Sequence, residues 1–506
     1  MNKSPQDSSL PDAPGSTPLD GFSAISILYL GVPTALFFAG WLQLPLALVL
    51  LPALLLGFVT LCRLAHAGSL RSRLKPTHLL LLIVALAWTA FGGAGHLFHA
   101  NQYDWVMRDA VLRDLTAAAW PPGYDIGTPN LWLLRCPVGY YLPAALGGKI
   151  FGPSLADPLL WFWTALGVWL FLSLLPIDLR RYQTVALAVL LVIAFSGMDI
   201  LGWWILRQTT PPNYQHMEWW AGFFQYSSNT TLLFWAPNHA IPSWIAAALF
   251  WRHWKTDGFL AIAPLLAALL AIWSPFPLFG LLPFYGLLFV RIVREKKWRI
   301  LHLPLLALSV LIVAIVGAYL SADITRIPSG SPLTAIDFVP FLLVYALFAL
   351  LEFGALSRVL RNLDRTPILR LSVLLLLLLP LLRFGPGNDL AMRSSVPALT
   401  FLCLATLNAF HPPILLRRTT CLSLALILLL GAVTPFHELY RAVTLPPWKP
   451  HPTVTVMDQD SVPVPHYVAR VERSWRSLLF RDLGEAIKTS LATDRPTFPP
   501  EERPQP

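Results

Sequence analysis

Runs of about twenty apolar residues recur along the whole chain, and they constrain its fold more than any other feature. Each run matches the thickness of a bilayer's hydrocarbon core. Lipid offers no partners for backbone N–H and C=O groups, so only helices and closed barrels can cross it. The runs are Leu/Ala-rich rather than alternating, which selects helices over barrel strands. Composition agrees, with 56% of the 506 residues hydrophobic and 13% charged. The expected fold is therefore all-α and polytopic. Windows of about twenty residues place helices at 22–40, 43–62, 78–97, 158–176, 184–201, 232–251, 259–274, 277–294, 301–320, 336–352, 367–383, 392–410 and 420–437.

The formal charge of +10 does not mark a nucleic-acid binder, because the basic residues sit in short clusters between apolar runs and report topology instead. One short apolar segment, Val138 to Phe151, contains Pro143, Gly147, Gly148 and Lys149. If it does not cross, a single side receives the basic turns around Arg63 to Lys75, Arg180/Arg181, Arg252/Lys255, Arg291 to Arg299, Arg358 to Arg365 and Arg417/Arg418. The positive-inside rule then makes that segment a half-helix or interfacial helix. It puts the N-terminus in the cytoplasm and the C-terminal tail outside, in what reads as a bacterial inner membrane. The chain divides into a Pro/Ser/Asp-rich cytoplasmic tail over 1–21, a membrane domain over 22–438 and an outer tail over 439–506. The first tail lacks the basic start and short apolar core of a signal peptide. The second is Pro-rich, with a short surface helix expected within Pro465 to Ile487, and ends as disorder.

This topology gathers the long polar and aromatic loops on the outer side, at 99–137, 202–231, 321–335 and 383–391. The first contains NQYDWVMRDAVLRDL. Taken as a helix, Asp104 to Leu115 places Trp105, Met107, Ala110, Val111, Leu112 and Leu115 on one arc with Asp109 and Arg113 opposite, while Asp104, Arg108 and Asp114 intrude into the apolar arc. Two readings of Asp104 stand. It is the N-cap of this helix, with Asp109/Arg113 a solvated i,i+4 pair, or it is a general base facing an acceptor hydroxyl.

Other outer residues carry similar pairs of readings. Asp199, in FSGMDILG, is an interfacial carboxylate or a second functional acid. Arg207, Glu218, Asn238 and His239 lie in or beside the next loop; the Asn238-His239 pair, between Pro237 and Pro242, either satisfies backbone freed by proline or binds a phosphate or sugar hydroxyl. The sequon at Asn229 would matter only in a eukaryotic secretory compartment. Arg383, Asn388, Asp389 and Arg393 fall within eleven residues; Arg393 pairs with Asp389 or holds a fixed anion such as a lipid phosphate. Glu352, the most conspicuous acid inside an expected helix, reads as reaching the inner interface beside Arg358, with no companion buried acids in view.

The layout resembles the GT-C superfamily of polyprenyl-phosphate-dependent glycosyltransferases, which includes oligosaccharyltransferase catalytic subunits, protein O-mannosyltransferases and aminoarabinose transferases. The match runs from about Thr77 to Trp251. A helix ending near Gly95-His96 leads into a long outer loop with an early acid, Asp104 in YDWVMRDAVLRDL. The entry YYLPAALGGKIFG, a basic turn DLRRYQ and a second outer acid, Asp199, follow. The resemblance implies an inverting transfer of a sugar from a polyprenyl-phosphate donor to an acceptor glycan or lipid. Asp104 would be the base, with Asp109 in reserve and Asp199 as a further acid. Arg393, Arg383, His239 and Arg207 would meet the donor phosphate; Glu218, Asn238, Asn388 and Trp105 would contact acceptor or sugar. Two helices precede the family's usual first one, and there is neither a WWD-type signature nor a large soluble C-terminal domain. No cofactor or metal is expected, and the partners are the bilayer and the lipid-linked sugar.

Two rival classes are discriminated by layout. An O-antigen polymerase or ligase would carry its large outer loop in the second half of the chain, whereas the largest loop before the tail here is 99–137. A transporter would show broken helices with polar residues at mid-membrane and a paired repeat, whereas the acids here are expected at outer helix ends.

Overall fold

The structure, a computed structural model, describes residues 17–65, 75–98, 102–125, 127, 131–212, 215–300, 302–327, 329–330, 338–385, 388–410, 418–447, 454–459, 467–470 and 476–488. Most of both expected tails lies outside these residues. The described chain is mostly helical, and every expected apolar segment meets a helix. Eight helices are long and apolar enough to cross a membrane: Gly21–Trp41, Leu44–Leu64, Pro153–Ser173, Pro275–Arg294, Leu303–Leu320, Pro340–Leu360, Asp389–Ala409 and Arg418–Thr444. The other apolar helices are shorter. The chain is thus an integral membrane protein, without thirteen full-length spans among the described residues. On Leu44–Leu64, leucines such as Leu48, Leu55 and Leu56 point outward with more than half their surface exposed. In lipid that is the ordinary outer face of a bundle.

Local chemistry sets where helices begin. Asp20 caps the first, accepting from the Ser23 amide at 2.9 Å, and its other oxygen accepts from Arg252 at 2.8 Å. Ser23 also meets His253 Nε2 at 2.8 Å, so the end of Pro237–His253 is fixed to the start of Gly21–Trp41. Leu142–Phe151, within the segment whose crossing was in question, is one helix of ten residues. It rises about 15 Å, half of the roughly 30 Å of hydrocarbon, and does not span by itself.

Two departures from the expected helices shape the interior. The segment at 184–201 is a twelve-residue helix, Tyr182–Ile193, then an irregular stretch, then a second helix, Asp199–Arg207. Twelve residues rise about 18 Å, less than the bilayer's thickness, so this helix does not span by itself, and Asp199 follows its break. The carbonyls freed at the break are satisfied: Asn229 Nδ2 donates to Val192 O at 2.8 Å and Thr230 Oγ1 to Ile193 O at 2.8 Å. The buried sequon asparagine is therefore a helix cap. In the facing helix, Leu350–Gly354 widens into a π turn, and Leu351 O accepts from the Met198 amide at 3.1 Å. Gly431 lets its helix lie against this break, since a Cβ there would stand 2.7 Å from Ser196 O.

The described part of the C-terminal tail does more than form a surface helix. It contributes a 3-10 helix, Val456–Gln459, a four-residue α-helix, Arg476–Leu479, and two strands, Val468–Arg470 and Ile487–Lys488. These flank Trp132–Leu134 and Gly123–Asp125 from the first loop in one four-stranded sheet. Leu133 pairs with Ala469 antiparallel, and Tyr124 with Ile487 parallel. Asp114, the acid that intruded into the apolar arc, explains this docking: buried, it accepts from the Tyr124 hydroxyl at 2.8 Å and from the Val456 amide at 3.0 Å.

Candidate functional site

Gln102–Ala117 carries the candidate site. Trp105 is fully buried and donates its indole N–H to the Phe234 carbonyl at 2.7 Å, in a space that exists because Gly93 has no Cβ. Arg108, on the same helix, is 3% exposed. It donates to Asn238 Oδ1 at 2.7 Å, to the Tyr141 hydroxyl at 3.3 Å and to Asp104 Oδ2 at 3.4 Å. Burial alone would make Arg108 release its proton more readily, but Tyr141 and Asp104 reverse the direction, so the guanidinium keeps its charge.

A chain of assignments follows from that arginine. A guanidinium only donates, so Oδ1 of Asn238 faces it and the amide nitrogen faces His239, 3.2 Å from Nε2. Nε2 therefore accepts, and Nδ1 carries the hydrogen that goes to Ser274 Oγ at 2.6 Å. Ser274 caps Pro275–Arg294 through the Phe276 amide. His239 is thus held as a neutral ring, buried at 2% exposure, with its two nitrogens engaged by Asn238 and Ser274. Its ring lies 5.7 Å from that of Phe276, which also faces the Arg393 guanidinium at 5.9 Å. Arg393 makes the i,i+4 pair with Asp389 at 2.8 Å and stays 24% exposed. Tyr467, from the tail, feels the charges of Arg108, Arg393 and Asp104; burial is the strongest influence and pushes its phenol up to about 12. Asp104, with 26% of its side chain exposed, is the open carboxylate of this group.

Asp109 belongs elsewhere. With 9% of its side chain exposed it is not half of a solvated pair; it lies 3.1 Å from His96 Nε2. The preceding helix ends at Ala90, short of Gly95-His96, and those two residues turn through positive φ, 85° and 54°, to bring the imidazole onto the next helix.

Asp199 and Glu218 fall in a third cluster with Glu352 and Glu438, and none of these four carboxylates is more than 6% exposed. The Trp220 indole N–H lies 3.1 Å from both Asp199 Oδ1 and Glu352 Oε1, and Thr434 donates to Asp199 Oδ2 at 2.7 Å. His216 bridges Glu438 at 2.9 Å and Glu218 at 3.1 Å, while Glu438 also accepts from Trp235 and Arg441. Glu218 further accepts from the Ser228 amide at 2.8 Å and from Gln225. Burial penalises the charged form of His216, yet the two carboxylates outweigh it and hold the ring at about 9. The expectation that Glu352 stands alone, and that the acids sit at outer helix ends, is corrected here: the break before Asp199 and the π turn at Glu352 bring them together inside the bundle.

The residues singled out from sequence therefore separate. Asp104, Trp105, Asn238, His239 and Arg393 converge; Asp109 joins His96; Asp199 and Glu218 join the buried acids. Trp105 and Glu218 are sealed from solvent and offer nothing to a sugar. Arg207 is exposed over the Trp203 ring at 5.8 Å, and Arg383 is exposed 6.0 Å from the Phe223 ring. Asn388, at φ 57°, is 1% exposed with neither side-chain atom hydrogen-bonded among the described residues. Arg108 was legible as a charge in an apolar arc; Tyr467 carried no signal at all. Beside the acid cluster runs an apolar groove of about 480 Å³, lined by Met217, Leu429, Val433, Phe436, His437 and Tyr440. No family model matches the chain, and neither a curated protein nor a solved structure does.

Proposed function

We propose that this protein is a membrane glycosyltransferase that moves a sugar from a polyprenyl-phosphate donor to an acceptor glycan or lipid on the outer face of a bacterial inner membrane. The observation that carries the reading is Asp104: a partly exposed carboxylate backed by the buried, charge-retaining Arg108, with Arg393 in the same neighbourhood. In a single inverting displacement, Asp104 takes the acceptor hydroxyl's proton as its oxygen attacks the anomeric carbon. The phosphate leaves from the opposite face with the bonding pair, and Arg393 offsets its charge. Arg108 orients the base. The groove along Leu429 to Tyr440 suits a prenyl chain, being apolar and open. Asp199 has no place in this chemistry, because its oxygens are occupied by Trp220, Thr434 and Ser196.

The test is turnover: the purified full chain in detergent, incubated with synthetic polyprenyl-phosphate sugars and candidate acceptors. The reading requires consumption of at least one such donor, and it fails if no lipid-phosphate sugar is consumed or bound.

A second reading, a transporter, is favoured by one set of observations: a helix broken at Asp199, a π turn at Glu352 and four buried carboxylates between them. Solute flux driven by a pH gradient in proteoliposomes, without sugar transfer, would select it.

A further inference from the structure

Three side chains, one from a turn and two from helices, meet beside the candidate site. His96 follows Pro76–Ala90, Asp109 lies on Gln102–Ala117 and Asp157 opens Ala156–Ser173. His96 Nε2 is 3.1 Å from Asp109 Oδ1 and 3.8 Å from Asp157 Oδ1, and one ligand atom from each residue lies within 4.8 Å of the other two. The His96 side chain is only 9% exposed, yet neither ring nitrogen makes a hydrogen bond among the described residues. The approach to Asp109 is close but lacks hydrogen-bond alignment. A buried imidazole with Nε2 close to two carboxylates, yet hydrogen-bonded to neither, is the arrangement expected when a third body takes the lone pairs.

We infer that His96, Asp109 and Asp157 bind one divalent transition-metal ion of the Zn²⁺ type. Charge favours an ion over a bare ion pair, since two carboxylates facing one imidazole keep excess negative charge even when the ring is protonated, and a dication removes it. Donor type narrows the ion: one imidazole nitrogen with two carboxylate oxygens suits Zn²⁺ or Mn²⁺, whereas Mg²⁺ and Ca²⁺ take oxygen donors. Size agrees as well. Around Zn²⁺, ligands at about 2.0–2.2 Å and tetrahedral angles stand roughly 3.4 Å apart, so an edge of up to 4.8 Å closes by at most about 1.4 Å. Three protein ligands leave a position for water. The ion staples the helix bearing Asp104 to its two neighbours, five residues from that carboxylate. This departs from the sequence-based expectation of no metal, and it does not rest on the glycosyltransferase reading.

The test uses the full chain in detergent, stripped with chelator and titrated with Zn²⁺ by calorimetry, with metal content measured after desalting. One Zn²⁺ per chain is expected, with affinity at least tenfold weaker in His96→Gln and in Asp157→Asn, and a Zn²⁺-dependent rise in unfolding temperature that both variants lack. Absence of stoichiometric binding to the unaltered protein, or unchanged affinity in folded variants, overturns the site. If a variant aggregates, Co²⁺ added to the unaltered stripped protein decides: visible d–d bands displaced by Zn²⁺ support the site, and their absence overturns it.

Discussion

Arg108 donates to Asn238 Oδ1 at 2.7 Å and so ties the helix that carries Asp104 to the start of Pro237–His253. Trp105, three residues earlier, makes the parallel tie to Phe234 O. Between these two acceptors, Trp235 reaches the opposite way, donating to Glu438 at 2.9 Å. The short segment 234–239 thus has one side bonded to the Asp104 helix and the other to the buried acids.

Replacing Arg108 by Ala leaves Asn238 Oδ1 buried without its donor, a loss of about 1–3 kcal/mol for an unsatisfied buried polar group. The expected result is a lower unfolding temperature for the solubilised protein, and sugar transfer reduced at least tenfold. Arg108→Lys recovers stability only in part, because an ammonium lacks the planar fork that meets Asn238, Tyr141 and Asp104 together.

Asp114 holds the tail through Val456 and steadies the sheet through Tyr124. In Asp114→Ala both donors lose their acceptor, and the tail is expected to be cut by trypsin after Arg470 or Arg481 severalfold faster than in the unaltered protein. Mass spectrometry of the fragments checks this; equal cleavage rates would show that the docking does not depend on Asp114.

How far the sequence disclosed this arrangement depends on the kind of signal. Each apolar run met a helix, because burial in lipid is written in composition over about twenty residues. Pairing between distant segments was not written that way. The strands of the tail are only two and three residues long, too short for a period to show, and their partners lie more than 300 positions away. The break before Asp199 was invisible because its freed carbonyls are capped from 229–230, not by any local residue. Within the site, the charges of Asp104 and Arg108 on an apolar arc were a true signal of a buried polar contact. For Trp105 and Glu218, residue type suggested surface chemistry, and only the packing shows that both are enclosed.

His216 has a pH signature. Its ring, held at about 9 against an ordinary value near 6.5, stabilises the fold fully below about 6.5 and loses that contribution as pH rises through about 9. Unfolding temperature followed from pH 6 to pH 10 should fall across this window in the unaltered protein. In His216→Gln the fall over the same window should be smaller; an unchanged profile would remove His216 as the titrating group.

Topology is tested by reporter fusions placed after Thr128 and after Lys297. If the ten-residue Leu142–Phe151 helix does not cross, the two reporters fall on opposite sides, the first outside. Signals on the same side would mean that the segment crosses.

The central claim is that Asp104 removes the acceptor's proton, and the Asp104→Asn variant tests it most directly. The isosteric amide keeps an oxygen for Arg108 but has no basicity, so the variant should insert and purify like the unaltered protein. Transfer of sugar from a polyprenyl-phosphate donor, measured with both proteins in the same detergent, should fall at least 100-fold, the usual size of a lost general base. Transfer at the unaltered rate would contradict the account.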